Sequence, residues 1–171
     1  MGTYGADRQP TLEALLLEPA RRCGECPFVV AGPMYPKEIR WPRNVQRIDH
    51  LPPSEHRKFY NSQRFTLNVT RADMVRAGYS PSVRLFEAAA CGTPIISDYW
   101  DGLDEIFKIG REILVARDGD EVAAHLRALT PDRARAIGAR ARARIMRDHT
   151  YAQRAVLVDR LLNEALARVT A

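Results

Sequence analysis

The chain has 171 residues, a formal net charge of +5, 46% hydrophobic and 27% charged residues. That is one domain by length, spanning residues 1–171, with enough chain to bury a sizeable core. It holds no apolar run of the roughly 18 residues that a membrane-spanning helix needs. The opening MGTYGADRQP lacks the basic-then-apolar pattern of a signal peptide. Three cysteines, an odd number, argue against a disulfide framework and for a reducing, cytoplasmic setting.

In chain order, MGTY at the start reads as a short opening strand. Residues 10–22 (PTLEALLLEPARR) read as a helix with Leu12, Leu15 and Leu16 on one face. Residues 27–32 (PFVVAG) form a buried strand ending in glycine, and residues 45–50 (VQRIDH) a weaker one. A short helix is expected over residues 54–62, capped by Ser54. Residues 65–70 (FTLNVT) are β-rich. A helix over 81–90 is followed by a turn at Cys91-Gly92-Thr93-Pro94 and a strand over 94–97. A strand at 112–116 and a helix at 119–129 follow. From Pro131 onward the pattern is helical, broken near residues 148–150. Short strands alternating with helices imply βαβ units and a mostly parallel sheet covered on both faces, an α/β Rossmann-like three-layer domain with carboxyl-terminal helices. Two long loops, 32–44 and 70–82, each follow a strand. Ligands of such folds sit beyond the carboxyl ends of the strands, so both loops are candidates to line a site.

The basic balance favours anionic partners. Its densest stretch, residues 132–149 (DRARAIGARARARIMRDH), reads as a solvated helix face whose arginine stems cover the surface. No aromatic platform accompanies it, so no nucleic-acid partner is expected. CGEC at residues 23–26 is a single cysteine pair with no second pair at ligand spacing, which favours structural thiols over a metal. Residues 98–105 hold four carboxylates, Asp98, Asp101, Asp104 and Glu105; a magnesium site is conceivable there.

One carboxylate stands apart. Glu87 lies inside VRLFEAAACGTPIISD, on a helix otherwise built for burial. Ser80-Pro81 has the form of a helix start, with serine as N-cap and proline at the first helical position. The free N–H groups of Ser82, Val83 and Arg84 and the helix dipole would then favour a phosphate. Glu87 is six positions beyond Pro81, roughly 9 Å along the axis. That separation suits a diphosphate at the helix end and a sugar diol further along, since a carboxylate accepts two hydrogen bonds from vicinal hydroxyls. On spacing alone, pairing of Glu87 with Arg84 or exposure at a solvated edge is the competing reading.

The pieces FEAAACGTPIISD, DGLDEIF and GREILVARDGDEV, in this order, together with GTYGADRQP and FVVAGPMYP, resemble group 1 glycosyltransferases of the GT-B fold. The match is to their carboxyl-terminal, donor-binding domain, and the spore-maturation glycosyltransferase-like branch looks nearest. The resemblance covers nearly the whole chain. It implies one half of a GT-B enzyme, a hexosyltransferase-type activity, and a nucleoside diphosphate sugar as donor with an unknown acceptor. It implies no bound metal, because helix dipoles and basic residues neutralise the leaving diphosphate. The acceptor domain would lie in a separate amino-terminal part, so this chain alone is expected to be inactive. The resemblance gives Glu87 the ribose of the donor. It gives the glycine loop with Gly5 and Arg8 the diphosphate, and makes Asn68, Arg71, Ser80, Ser82, Val83, Arg84, Asp101 and Gly102 donor contacts. Leu51, after His50, would meet the base through its backbone. Relatives carry a second glutamate eight positions before the ribose glutamate; here that position is Tyr79, a departure that bears on the donor sugar. A non-catalytic nucleotide-binding or interaction module, or a nucleotide-sugar epimerase, is the alternative.

Overall fold

The computed structural model describes residues 1–169. A 3-10 turn at Ala6–Arg8 leads into α1 (Gln9–Leu12), a π-turn at Glu13–Leu17 and α2 (Glu18–Arg22), which run on as one helix. The wider turn precedes Pro19, which brings no N–H to the ladder. Strand β1 (Phe28–Ala31) and β2 (Val45–Ile48) follow, then α3 (Pro53–Asn61), β3 (Thr66–Asn68), α4 (Ala72–Ala77), α5 (Val83–Ala90) and β4 (Ile95–Ser97). The chain continues through α6 (Leu103–Ile106), β5 (Leu114–Val115), α7 (Gly119–Ala128), α8 (Pro131–Asp148) and α9 (Tyr151–Val169).

All the strand pairings are parallel. In register, Phe28 faces Val45 between β1 and β2, Thr66 faces Ile95 between β3 and β4, and Ile96 faces Leu114 between β4 and β5. Alternation along β4 divides the core. Ile96, with Leu114, joins the leucines of α1–α2 and Val122 of α7 on one face. Ile95, with Ile113, joins Leu85 and Ala88 of α5, Trp100, and Ala141 and Ile145 of α8 on the other. This is the expected three-layer α/β domain.

Several boundaries differ from the sequence reading. The strands form two sheets, β1–β2 and β3–β4–β5, rather than one. MGTY is not a strand, although Gly2 N–H donates to Ala31 O at 2.8 Å and Tyr4 N–H to Pro33 O at 3.1 Å. Helix α3 begins at Pro53 with Pro52 as N-cap, so Ser54 does not cap it. The loop over 70–82 contains the short α4. Helix α5 begins at Val83 with Ser82 as N-cap, not at Pro81 with Ser80. Tyr79 N–H is bound to Asp101 O, residues 80–82 belong to no helix or strand, and Ser82 itself is extended, with a ψ of 138°.

Helix α5 ends in a Schellman motif. Gly92 N–H donates to Ala89 O at 2.8 Å and Thr93 N–H to Ala88 O at 3.0 Å, with Gly92 at a φ of +73°. Helix α8 crosses here so closely that a Cβ on Gly138 would lie 1.9 Å from Gly92 O. Arg144 pins the same helix to the strand side, its Nε donating to Glu112 Oε2 at 3.1 Å. The other arginines of α8 are largely solvated, as the sequence implies: Ala134, Ile137, Gly138, Ala141 and Ile145 are its buried face.

Candidate functional site

Polar groups converge beyond the carboxyl ends of β1, β3 and β4, where the loops after the strands turn away. Asn68, the last residue of β3, is fully buried. Its Nδ2 donates to Ser97 Oγ at 2.9 Å and to Thr70 Oγ1 at 3.1 Å. Thr70 in turn donates its hydroxyl at 2.7 Å and its N–H at 3.1 Å to Asp98 Oδ1. Burial pushes the Asp98 carboxyl above its usual range, against the lowering effect of the bonds from Thr70. A closed network of this kind is rigid because each member is satisfied.

Arg84, in the first turn of α5, completes the network. Its Nη1 donates to Asn68 Oδ1 at 2.8 Å and its Nε to the carbonyl of Met1. The guanidinium is buried, and desolvation, followed by repulsion from Arg8, lowers its pKa. Arg84 and Arg8 flank Gly2. A Cβ there would meet an Arg84 nitrogen at 2.3 Å and Arg8 Nη1 at 3.2 Å, so only glycine fits between the two cations. Arg8 is held by one bond from Nη1 to Thr3 O at 2.6 Å. Its Nε is buried and, among the described residues, has no partner. Two like charges this close, one with a donor to spare, favour an anion.

Glu87 lies one turn along α5 from Arg84, on the same side of the helix. It is half-buried, and its Oε2 accepts from Tyr60 Oη at 3.1 Å. Burial and then the Glu87 charge raise the Tyr60 phenol above its ordinary range. Arg84 makes its hydrogen bonds elsewhere, to Asn68 and Met1. Tyr60 takes one position on Glu87, and an ionised carboxylate has roughly four acceptor sites.

The remaining candidates fall into separate groups. Arg71 Nε donates to Asp7 Oδ2 at 3.1 Å, and a Cβ on Gly5 would touch both side chains. That pairing is the first cause of the lowered Asp7 carboxyl. Tyr79, Asp101 and Gly102 form another group. Tyr79 N–H donates to Asp101 O at 2.6 Å, and its ring lies on Gly102, where a Cβ would be 2.6 Å from Cδ1. Tyr79 adopts a left-handed φ of +47°, a conformation that costs a non-glycine residue about 1–3 kcal/mol. The nearby Glu105 charge, first among the causes, raises its phenol. Ser80 is half-buried between this group and α5, and Val83 is exposed at the start of α5. Leu51 lies in the loop after β2, its carbonyl within 3.1 Å of His56 Nε2.

Sequence reading missed Thr70, Ser97, Tyr60, Tyr35 and Arg47 as parts of this region. Tyr35 Oη donates to Gly2 O at 3.2 Å. Arg47 stacks on Tyr35 at 4.1 Å and on Trp41 at 5.0 Å, and its two Nη groups donate to Val30 O and Gly32 O at 2.8 Å. The aromatic residues of the Pro-rich loop next to an arginine in β2 were the available signal. Cys23 is buried in the turn after α2 and Cys26 half-buried; these and Cys91 are free thiols. Among the described residues, no group of three or more His, Cys, Asp or Glu side chains is placed to hold a metal, and no helix is long and apolar enough to cross a membrane.

Arg8, Arg84 and Glu87 thus gather beyond the carboxyl ends of parallel strands, the place where ligands of doubly wound α/β folds sit. The chain belongs to the glycosyl transferase-like family, whose model matches residues 8–160. Among solved structures it is similar to sucrose-phosphate synthase from Thermosynechococcus elongatus, with a TM-score of 0.71 and 16% identity over 97% of this chain and 45% of that one. It is also similar to AviGT4, a glycosyltransferase involved in avilamycin A biosynthesis, with a TM-score of 0.56 and 22% identity over 86% of this chain and 48% of that one. The fold is that of GT-B glycosyltransferases. The chain spans about half the length of these structures. No curated protein matches it.

Proposed function

We propose that this chain is the donor-binding half of a cytoplasmic glycosyltransferase of the group 1, spore-maturation-like branch, taking a nucleoside diphosphate sugar without a bound metal. The observation that carries the reading is the arrangement around Gly2. Arg8 and Arg84 flank it, and Glu87 stands one turn further along the helix that bears Arg84. In this reading Arg8 Nε donates to the diphosphate, helped by the N–H groups at the start of α5. Arg84 is a positioning residue that fixes the Met1–Gly2 backbone and Asn68. Glu87 accepts the ribose hydroxyls while Tyr60 holds its second oxygen. Tyr79, Asp101 and Gly102 meet the donor sugar, with Gly5, Asn68, Arg71, Ser80, Ser82, Val83 and Leu51 as further contacts. The acceptor and its domain belong to a longer protein, and the single chain is expected to show no sugar transfer. The departure at Tyr79 supports the alternative of a nucleotide-binding module without catalysis.

Titration calorimetry with uridine and guanosine diphosphates tests the site. A ligand at about 100 times its dissociation constant should stabilise the fold by roughly 2.7 kcal/mol. Glu87→Gln should weaken binding about tenfold or more, because hydrogen bonds to a charged group are each worth about 1.5–3 kcal/mol. The native protein should discriminate ribose from deoxyribose, and the variant should not. Equal discrimination by both proteins removes Glu87 from the ribose site. Absence of binding by any nucleoside diphosphate removes the donor reading itself.

A further inference from the structure

The cysteine pair at residues 23–26 takes no part in the candidate site. Helix α2 ends at Arg22, and Cys23 follows it, fully buried. Cys26 N–H donates to Cys23 O at 2.9 Å, so Cys23-Gly24-Glu25-Cys26 is a β-turn closed by its own hydrogen bond. Such a turn keeps its end Cα atoms under about 7 Å apart, and a disulfide joins Cα atoms about 4.4–6.8 Å apart. Asn44, just before β2, fixes the turn. Its Nδ2 donates to the carbonyls of Ala20, Cys23 and Cys26 at 2.9, 3.0 and 2.8 Å. Its own carbonyl accepts from Phe28 N–H at 2.8 Å. Both sulfurs therefore hang on a backbone already held close to bridging range.

The two thiols differ in access. Cys26 is half-buried, while Gly24 and Glu25 are exposed. A Cβ on Gly24 would meet nothing within 4 Å, so a reagent can approach the tip of the turn. Cys23 lies beneath, with Arg127 Nη2 donating to its Sγ at 3.9 Å. Cys26 Sγ lies 4.0 Å from Glu25 Oε1. Burial first, then the Glu25 charge and the nearness of Cys23, hold the Cys26 thiol above its ordinary range. The turn also follows the carboxyl end of α2, where the helix dipole does not favour an anion. Dithiols with a stabilised thiolate form disulfides that are easily reduced; this turn has the opposite surroundings. A metal is the competing use of such a pair, and among the described residues no group of three or more His, Cys, Asp or Glu is placed to hold one.

We propose that Cys23 and Cys26 are a reversible modification site, a dithiol that a small-molecule disulfide closes into a staple between the end of α2 and the start of β1. Cys26, the accessible thiol, attacks one sulfur of the reagent as its thiolate. A mixed disulfide forms and one thiol leaves. Cys23 then attacks Cys26 Sγ, the intramolecular disulfide forms and the second thiol leaves. Two electrons and the two cysteine protons pass to the reagent, which becomes two thiols. The reduced pair is the state in the structure, where all three cysteines are free. This inference does not rest on the donor chemistry proposed above, and its test uses no nucleotide.

The test equilibrates the chain with mixtures of glutathione and glutathione disulfide, followed by alkylation and mass spectrometry. The native chain should lose two hydrogens and keep one alkylatable thiol, which peptide mapping should place at Cys91. The same chain unfolded in urea should need a mixture at least about tenfold more oxidising, because the folded turn holds the sulfurs together. By linkage that tenfold raises the Tm of the disulfide form by roughly 3–6 °C. Asn44→Ala loosens the turn and should reduce the folded chain's advantage to a few-fold. Cys23→Ala should leave glutathione fixed on Cys26, and Cys26→Ala should leave the buried Cys23 unmodified. Closure no easier in the folded chain than in urea overturns the proposal, and this comparison needs no variant. So does a stable glutathione adduct on the native chain, or a disulfide-linked dimer as the main product.

Discussion

Around β4 every strand residue is buried, Ile95 and Ile96 lie between helices, and the turn after α5 is pressed against Gly138 of α8. Around β1 and β2 the same kind of parallel pairing is left unfinished. β2 has no fully buried residue, and β1 borders a cavity that reaches across to Phe65, Thr66 and Leu67 at β3. The difference teaches where each kind of stability comes from. The β3–β4–β5 side is held by close packing, in which small volume changes are felt at once. The β1–β2 side buries Phe28, Val30 and Ala31 of β1 but adds individual polar contacts, such as Arg47 to the carbonyls of Val30 and Gly32, and it carries the backbone of the candidate site at Gly2.

The same substitution, glycine to alanine, breaks the two sides differently. Gly138→Ala places a methyl group against Gly92 O and Pro94. Overpacking against backbone costs typically about 1–3 kcal/mol and occasionally more, so we expect a loss near the top of that range. For a chain of this size that lowers the Tm by roughly 6–12 °C. Nucleotide affinity at temperatures where the fold is intact should hardly change. Gly32→Ala meets Gly2 O at 2.1 Å from a φ of +137°. Its cost should be smaller, about 1–2 kcal/mol, because the open side can shift. The shift moves Gly2 and with it Arg8, so nucleotide binding should fall by about tenfold or more. Calorimetry and thermal melts on both variants check the crossing pattern; parallel losses in both measurements would erase the distinction.

The smallest effect is expected at Asp98. Burial raises its carboxyl above the ordinary 3.8, so the folded state holds the proton more tightly than the unfolded chain. Its contribution is therefore most favourable at low pH and is lost as pH rises from the ordinary value through the raised one. Asp98→Asn keeps an acceptor for Thr70 and removes the charge. It should raise the Tm slightly at neutral pH, and the difference from the native protein should vanish below about pH 3. Melts across that range would settle the sign.

Much of the packed side was legible in the sequence. Ile95–Ser97 reads as a buried strand because it is a short apolar run between a glycine turn and a polar loop. Thr130-Pro131 marks the start of α8, where Thr130 Oγ1 accepts from Arg133 N–H. Local chemistry decides such elements. The errors arise where distant residues decide. Ser80-Pro81 has the chemistry of a helix start, yet Tyr79 is tied to Asp101, twenty-two positions away, and the helix waits until Val83. Arg84 has the spacing of a partner for Glu87, yet Asn68 from β3 and the carbonyl of Met1 claim it. Tyr60 reaches Glu87 from α3, a contact that no local pattern announces. The split of the sheet was equally hidden, because MGTY has strand-like composition and only its backbone contacts with residues 31 and 33 decide what it pairs with.

One consequence follows from the junction between α8 and α9. Thr150 and Gln153 form a capping box, with Thr150 N–H and Oγ1 each donating to Gln153 Oε1 at 2.7 Å. The box starts α9 afresh, anchored near its beginning by Arg154 over Phe86 at 4.8 Å. None of the 19 residues of α9 is buried. At about 1.5 Å per residue the helix reaches roughly 28 Å from that anchor, with Leu157, Leu161, Leu162 and Leu166 exposed along it. α8 is gripped through Gly138 and Arg144, whereas α9 keeps its residues outside the core, so the amides of α9 should exchange with solvent sooner than those of α8.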